Sequence, residues 1–385
     1  VLEQNYRYDL LSPDTLLKKY VGKKLKIARY NEKLGSDEIK DAELLAIEGG
    51  PVLRIDGQIV TGFAGRYLFP ELPANLLPKP TLVWLLKSGV AQQKLEVTYL
   101  TRNLGWKADY VLLLTDDDRA GDLSGWVTLE NNTGTSYQHA ELKLVAGDVQ
   151  RVAPPPPPEA AYDRDADGIA DSADVLHQES LFEYHLYSLA RPTDLLDKEK
   201  KQVRLLDAHG IAVQKKLSLR GLDWYYRSLA GSLPPKQKVG VYVEITNSEK
   251  FGLGQPLPKG ILRVYKADKS GARQFVGEDA IDHTPRDEKL EVKLGEAFDV
   301  LADRRQMRWT ALGACRSESS WEIKISNHKD NAERVELVEP ASGDWEIVES
   351  SQPAQREDAR TFKFEVDVPA RGTTTVTYRV RVKWC

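Results

Sequence analysis

The stretch Trp321-Glu322-Ile323-Lys324-Ile325-Ser326-Asn327 alternates apolar and polar side chains without interruption. Successive side chains of a β-strand point to opposite faces of a sheet, so this period of two predicts a strand with one buried face. The same pattern recurs at even spacing between turns rich in Asn, Asp, Gly and Pro, over residues 334–338, 345–348, 361–366 and 375–384. Five such strands predict an immunoglobulin-like β-sandwich over residues 301–385.

The chain before this sandwich also consists mainly of short alternating runs. In residues 1–80 the runs are joined by turns such as Asp56-Gly57, which favours a tight hairpin because both residues tolerate positive φ. We therefore predict a small β-barrel-like or meander module there, with one short helix capped by Ser12 and starting at Pro13. Further along, Leu95, Val97 and Tyr99 alternate with polar residues and predict a strand over 93–100.

A proline run at residues 154–158 marks a linker, because consecutive prolines favour polyproline II and cannot join a sheet ladder. It divides a β-rich central domain into a first segment, 81–152, and a continuation, 181–300, with a Pro-rich and acidic linker at 153–180. The predicted fold is thus mostly β, with a barrel-like N-terminal module followed by antiparallel β-sandwich modules. Residues 296–299 are expected to be helical.

The overall charge excludes some classes of protein. Lys and Arg number 54 and Asp and Glu 58, giving a net charge of −4, which argues against a nucleic-acid partner. No apolar run approaches the roughly 20 residues of a transmembrane helix, so none is predicted. The histidines lack zinc-enzyme spacing, and nucleophile-elbow and phosphate-loop motifs are absent from the sequence. A first residue other than Met suggests a processed or truncated chain.

Several phrases of the sequence carry a family resemblance. They include Glu183-Tyr184-His185-Leu186-Tyr187, Arg191-Pro192-Thr193, Gly343-Asp344-Trp345, and Val97-Thr98-Tyr99-Leu100 followed by Gly105-Trp106. Together these resemble the DUF4139 family, whose relatives include mucoidy inhibitor A-like proteins. The resemblance implies a bacterial, exported, β-rich protein, located in the periplasm or outside the cell, and it supplies no catalytic residues.

An acidic motif follows the proline run, at residues 163–174. Its acids recur at the loop positions that bind Ca²⁺, and Gly168 permits the sharp turn between them. The fit to an EF-hand loop is incomplete, and the motif resembles dockerin and thrombospondin-type calcium loops. The alternative is an acidic linker without a ligand. The predicted Ca²⁺ ligands are Asp163, Asp165, Asp167, Asp171 and Asp174 with the carbonyl of Ile169.

Two other features have more than one interpretation. Cys315 and Cys385 could form a bridge between strand ends, but two free thiols are the favoured interpretation because a terminal cysteine is poorly constrained. Trp224 and Tyr226 would share one face of a strand, either buried in a sandwich core or exposed to a glycan or protein partner. Asp116, Asp117 and Asp118 are interpreted as a solvated hairpin turn.

These observations favour a non-enzymatic envelope or surface protein that binds an unknown protein or glycan, or has a structural role. One alternative is a carbohydrate-active hydrolase that uses two carboxylates distant in sequence. A second is an assembly subunit that pairs strands at sheet edges, which an unpaired edge at residues 375–384 would support.

We predict that Ca²⁺ binds and orders residues 163–174, because a cation removes the repulsion among the acids of this loop. Isothermal titration of the chain with millimolar Ca²⁺ should release or absorb heat. A titration without heat would contradict the site.

Overall fold

The computed structural model describes residues 2–7, 9–32, 35–79, 81–147, 176–231, 233–341 and 343–385. Among the described residues, strands make up 61% and helices 4%, which confirms the mostly-β prediction. The chain forms two compact units. The first contains Val1–Leu104 with Asn131–Tyr137 and Leu196–Lys198, and the second contains Gly105–Glu130, Gln138–Leu195 and Glu199–Cys385.

The first unit contains one helix and two antiparallel sheets. Its elements are β1 (Glu3–Arg7), α1 (Pro13–Tyr20), β2 (Lys24–Asn31), β3 (Ser36–Ala46), β4 (Val52–Ile55), β5 (Gln58–Thr61), β6 (Arg66–Leu68) and β7 (Thr81–Leu85). Strand β1 pairs with β7, and the other strands form one sheet in the order β5-β4-β3-β2-β6. Among the described residues no pairing joins β5 to β6, so this sheet is an open meander.

Local sequence explains both the helix and the hairpin of this unit. The Ser12 side chain accepts a hydrogen bond from the Thr15 N–H at 3.1 Å, which caps α1 as predicted. The Asp56-Gly57 turn has positive φ at both residues and joins β4 to β5 as a hairpin. Tyr20, at the end of α1, is buried on the sheet with Leu44, Leu53 and other apolar residues, and this contact closes the core.

From residue 104 onward the described residues lie mainly in strands. These are β8 (Leu104–Leu114), β9 (Ala120–Asn131), β10 (Tyr137–Ala140), β11 (Lys143–Ala146), β12 (Leu176–Leu181), β13 (Tyr184–Leu189), β14 (Thr193–Leu195), β15 (Glu199–Arg220), β16 (Gln237–Thr246), β17 (Gly260–Ala267), β18 (Arg273–Ile281), β19 (Lys289–Gly313), β20 (Arg316–Asn327), β21 (Glu333–Pro340), β22 (Asp344–Ser350), β23 (Gln355–Arg356), β24 (Thr361–Val368) and β25 (Thr373–Lys383). Short 3-10 helices occur at Asp223–Tyr226 and Glu249–Phe251.

The 25-residue strand β19 joins two sets of strands. Its first half pairs with β16, from Lys289 opposite Thr246 to Ala302 opposite Gln237. Its second half pairs along the other edge with β20, up to Gly313. The two pairings overlap only at residues 300–302. The first half of β19 is therefore not paired with β20, and the second half is not paired with β16.

The C-terminal sandwich has two facing layers. One layer contains β19, β20, β25 and β22, and the other contains β21, β24 and β23 with the end of β15. Trp321, Ile323 and Ile325 of the alternating stretch in β20 are buried in the same core as Phe362 and Phe364 of β24. This burial confirms the period-two prediction. The core also includes residues of β15 and β16, which precede residue 301.

Two local predictions are wrong. Residues 93–100 form no strand, and Leu95, Val97 and Tyr99 are exposed there, because no described strand lies beside them to complete a ladder. Residues 296–299, predicted as helical, lie inside β19, where pairing with β16 overrides local helix propensity.

The free-thiol interpretation is also wrong, because Cys315 and Cys385 form a disulfide bond with their Cα atoms 5.7 Å apart. Strand pairing explains this proximity. Arg316 lies opposite Lys383 in the β20–β25 ladder, and the Trp384 N–H donates a hydrogen bond to the Cys315 carbonyl at 3.0 Å. The ladder therefore holds the final residue next to the tip of the β19–β20 hairpin.

We predict that Cys385→Ser lowers the free energy of unfolding by about 2–4 kcal/mol, because the bridge restricts a long loop in the unfolded chain. The bonded cysteines are 70 positions apart. Urea denaturation of the oxidised proteins measures the loss. The double variant Cys315→Ser/Cys385→Ser is the control and should lose no more than the single variant. Equal stability of Cys385→Ser and the natural chain would contradict the prediction.

Candidate functional site

The predicted Ca²⁺ ligands Asp163, Asp165, Asp167, Ile169, Asp171 and Asp174 lie outside the residues that the structure describes. Their segment connects two described strands, β11 and β12, which flank β13 on opposite edges of a three-stranded sheet. The described residues contain no group of three or more His, Cys, Asp or Glu side chains that could hold a metal ion.

One histidine lies between two carboxylates. Nδ1 of His209 is 3.5 Å from Asp122, and its Nε2 is 3.9 Å from Asp207, which also accepts a hydrogen bond from the Ser124 hydroxyl at 3.1 Å. The His209 side chain is 73% exposed, and no hydrogen bond joins it to Ser124 in the described structure. The cluster therefore lacks the direct nucleophile–base contact of a hydrolytic triad.

Partly buried carboxylates in the second unit are paired with cations. Asp109 contacts Arg263 at 3.3 Å, and Glu244 contacts Lys289 at 2.9 Å and Lys216 at 2.5 Å. Burial alone would raise the pKa of Glu244, but hydrogen bonds from the two lysines outweigh it and hold the pKa below its ordinary value. Both carboxylates are therefore occupied by cationic partners within the fold.

A glycoside hydrolase needs one carboxyl group whose pKa is raised so that it can act as the acid. Among the described residues, the carboxyl groups with a shifted pKa all have it lowered, because hydrogen bonds to the charged form outweigh burial. They are Asp117, Asp118, Glu244, Asp268, Asp358 and Asp367. These shifts give no support to the hydrolase alternative.

The acidic triplet forms the predicted turn. The Thr115 N–H donates to the Ala120 carbonyl at 2.9 Å, which closes the turn between β8 and β9. Asp118 has positive φ there, and its carboxylate contacts Lys215 at 2.9 Å and Lys266 at 2.5 Å. The triplet is therefore tied to neighbouring strands.

The aromatic segment does not form the predicted strand. Asp223–Tyr226 is a 3-10 helix, which we call the aromatic turn, so Trp224 and Tyr226 do not alternate on one face. Tyr225 and Tyr226 are buried against Trp321, with ring centroids 5.3 and 5.9 Å away, whereas Trp224 is 41% exposed. The turn thus anchors the chain that links β15 to β16 onto the sandwich core.

A buried ion pair lies beneath the aromatic turn. Arg304 of β19 contacts Glu339 of β21, and neither side chain has any exposed surface. The Tyr226 hydroxyl donates to Glu339 Oε2 at 2.7 Å, and the hydroxyls of Tyr226 and Tyr378 are 3.0 Å apart. This network joins both layers of the sandwich to the aromatic turn.

The surroundings of these groups show why the network is structural. Burial raises the pKa of the Tyr226 and Tyr378 hydroxyls well above the ordinary tyrosine value, so both stay protonated as donors. The Arg304 guanidinium lies 5.2 Å from the ring centroid of Tyr225, although its Nε and Nη2 have no acceptor among the described residues. A Cβ at Gly221 would collide with Glu339, so glycine leaves room for the carboxylate.

An unpaired strand edge lies beside this network. Pairing with β16 ends at Ala302, and no described strand pairs with residues 303–313 of β19 on the edge facing away from β20, which we call the open edge. A cavity of about 750 Å³ lies elsewhere, along residues 86–95, whereas one of about 540 Å³ borders the open edge. Its walls are residues 303–307 and, in the preceding loop, Gly231, Leu233, Pro234 and Pro235.

By contrast, most of the edge at residues 375–384 is covered, because β25 pairs with β20 on one side and, over residues 378–383, with β22 on the other. The edge on which the strand-pairing alternative depends is therefore unpaired over a few residues only. Sequence reasoning missed the open edge of β19, although Pro234-Pro235 just before β16 signals the point where pairing must stop. It also missed the Arg304–Glu339 pair, whose residues are 35 positions apart.

The fold and these sites define an all-β protein whose C-terminal sandwich encloses an ion pair and leaves one strand edge open. The family described as "Domain of unknown function (DUF4139)" matches residues 95–385, and the chain belongs to this family. The match includes the sandwich and the open edge, but it does not address the calcium loop. Comparisons with curated proteins and with solved structures gave no significant match. In the described residues no helix could span a bilayer.

We predict that Glu339→Gln lowers the free energy of unfolding by about 3–5 kcal/mol, because it leaves a buried guanidinium without its carboxylate. Urea denaturation measures this loss. Asp367→Asn is the matched control, since Asp367 pairs with Arg334 on the exposed surface and should cost far less. Equal losses in the two variants would contradict the prediction.

Proposed function

We propose that the chain is an exported, non-enzymatic binding protein of the bacterial envelope that recognises another protein through the open edge of β19. The observation that carries the proposal is the open edge itself, bordered by a cavity of about 540 Å³. Unpaired N–H and C=O groups at a strand edge are a ready template for pairing with another chain.

The disulfide bond supports location outside the cytosol. Disulfide bonds persist in oxidising compartments and are rare in the cytosol, where thiols are kept reduced. Cys315 and Cys385 are bonded, and the described residues contain no free cysteine. The bond therefore supports a periplasmic or extracellular location.

Calcium binding by residues 163–174 belongs to the same proposal. Its support is the spacing of the acids and Gly168 in the sequence. Millimolar Ca²⁺ outside the cytosol would suit a loop of modest affinity. The double variant Asp165→Asn/Asp167→Asn keeps side-chain size and removes two charged ligands, so it should abolish the calorimetric heat.

We predict that a photo-crosslinking residue at position 307 captures a distinct protein in cells that make the natural, full-length protein. Met307 lies on the open edge and is 62% exposed. The same residue at position 298 is the matched control, since Phe298 is 92% exposed on the half of β19 that pairs with β16. Fractionation and gel analysis should show a product only from position 307 and only in the envelope or medium. No product, equal products at both positions, or a cytosolic product would contradict the proposal.

A further inference from the structure

The open edge begins where the chain's own sequence prevents further pairing. Gln237 of β16 is opposite Ala302, and the residues immediately before β16 include Pro234 and Pro235. Proline has no N–H and cannot donate to a ladder, so this loop cannot extend β16 along β19. The cavity separates the loop from residues 303–307 and leaves space beside the strand.

The regular part of this edge is short. A bulge between Gln306 and Arg308 interrupts the β19 register, and a second follows between Ala311 and Gly313. A bulge bends a strand and disrupts its ladder. Residues 303–306 are therefore the stretch of the open edge best suited to regular pairing, and they also line the cavity.

Three basic side chains are exposed near this stretch, and Glu322 of β20 lies opposite one of them, Arg305, in the ladder. Arg305, Arg308 and Lys236 are exposed, and none of their side chains forms an ion pair within the described chain. Of the nearby acids, Asp303 already accepts a hydrogen bond from the Lys236 N–H at 2.9 Å. Complementary charge on a partner would speed its approach and disfavour basic competitors.

Exposed apolar side chains border the same edge. Met307 follows the regular stretch, and Leu229 is 70% exposed next to Ala230, whose N–H donates to Gln306 Oε1 at 2.8 Å. A bound strand places alternate side chains on opposite faces, so it could present acids to the arginines and apolar residues to Met307 and Leu229.

We propose that residues 303–306 of β19 accept, as an added antiparallel or parallel strand, an extended acidic segment of a partner protein in which acidic and apolar residues alternate. This inference rests on the proposed function and adds the chemistry of the partner. Backbone hydrogen bonds to the open edge supply the pairing, and Arg305 and Arg308 select the charge.

The test uses the full chain and labelled peptides of about eight residues, in which valine alternates with glutamate or with lysine. Fluorescence anisotropy at low salt should show that the glutamate peptide binds at least about tenfold more tightly than the lysine peptide, and that salt weakens it. Methylation of alternate backbone nitrogens in the glutamate peptide should abolish binding, since the charges remain while the ladder donors are lost.

Arg305→Glu/Arg308→Glu should weaken glutamate-peptide binding at least about tenfold and favour the lysine peptide. Lys269→Glu/Arg273→Glu, on the β17–β18 hairpin, makes the same change in net charge and should leave binding unchanged. Circular dichroism checks folding, and the methylated peptide tests the edge independently of any variant.

Binding that ignores peptide charge or backbone methylation would overturn the acidic-strand inference while leaving a protein-binding role intact. Sedimentation of the chain alone provides a further arm. A dimer that dissociates in Arg305→Glu/Arg308→Glu would assign the edge to a second copy and also overturn the inference.

Discussion

The staggered pairing of β19 is the constraint on which the rest of the second unit depends. One strand of 25 residues joins β16 on one edge to β20 on the other, with only a short overlap around Ala302. This stagger carries the chain from the central sheet into the sandwich without a linker. It also means that the strand cannot be covered on both edges along its whole length. The open edge is therefore a geometric result of the connection between the two halves.

The polar network at the sandwich centre fixes how the layers meet. An apolar core of this size could slide by small amounts, because burial free energy has no direction. Arg304 and Glu339 come from different layers, so sliding one layer along the other would separate the two charged groups. Tyr226 extends the same network to the aromatic turn, and that turn positions the proline loop beside the open edge. The buried ion pair thus helps to fix the arrangement of the exposed open edge.

Sequence reasoning succeeded where local pattern and tertiary environment agree. Residues close together in sequence are sufficient to explain three features: the alternating stretch at Trp321, the Ser12 cap and the Asp56-Gly57 hairpin. It failed where a distant partner decides the outcome. Residues 93–100 alternate but have no neighbouring described strand, and residues 296–299 are held extended by β16. The cysteines are 70 positions apart and meet because β20 and β25 pair, and the ion pair joins two layers whose facing residues no local pattern identifies.

The disulfide bond has a mechanical consequence. Strand β25 lies between β20 and β22, and a pull on the chain at residue 385 would otherwise peel it from both neighbours one hydrogen-bonded pair at a time. Cys385 is covalently joined to Cys315 at the tip of the β19–β20 hairpin. Tension applied there passes through the bridge into β19, while β20 and β25 both remain inside the closed covalent ring and are bypassed. The sandwich would then have to yield by shearing of whole strands instead of unzipping, which requires many hydrogen bonds to break together.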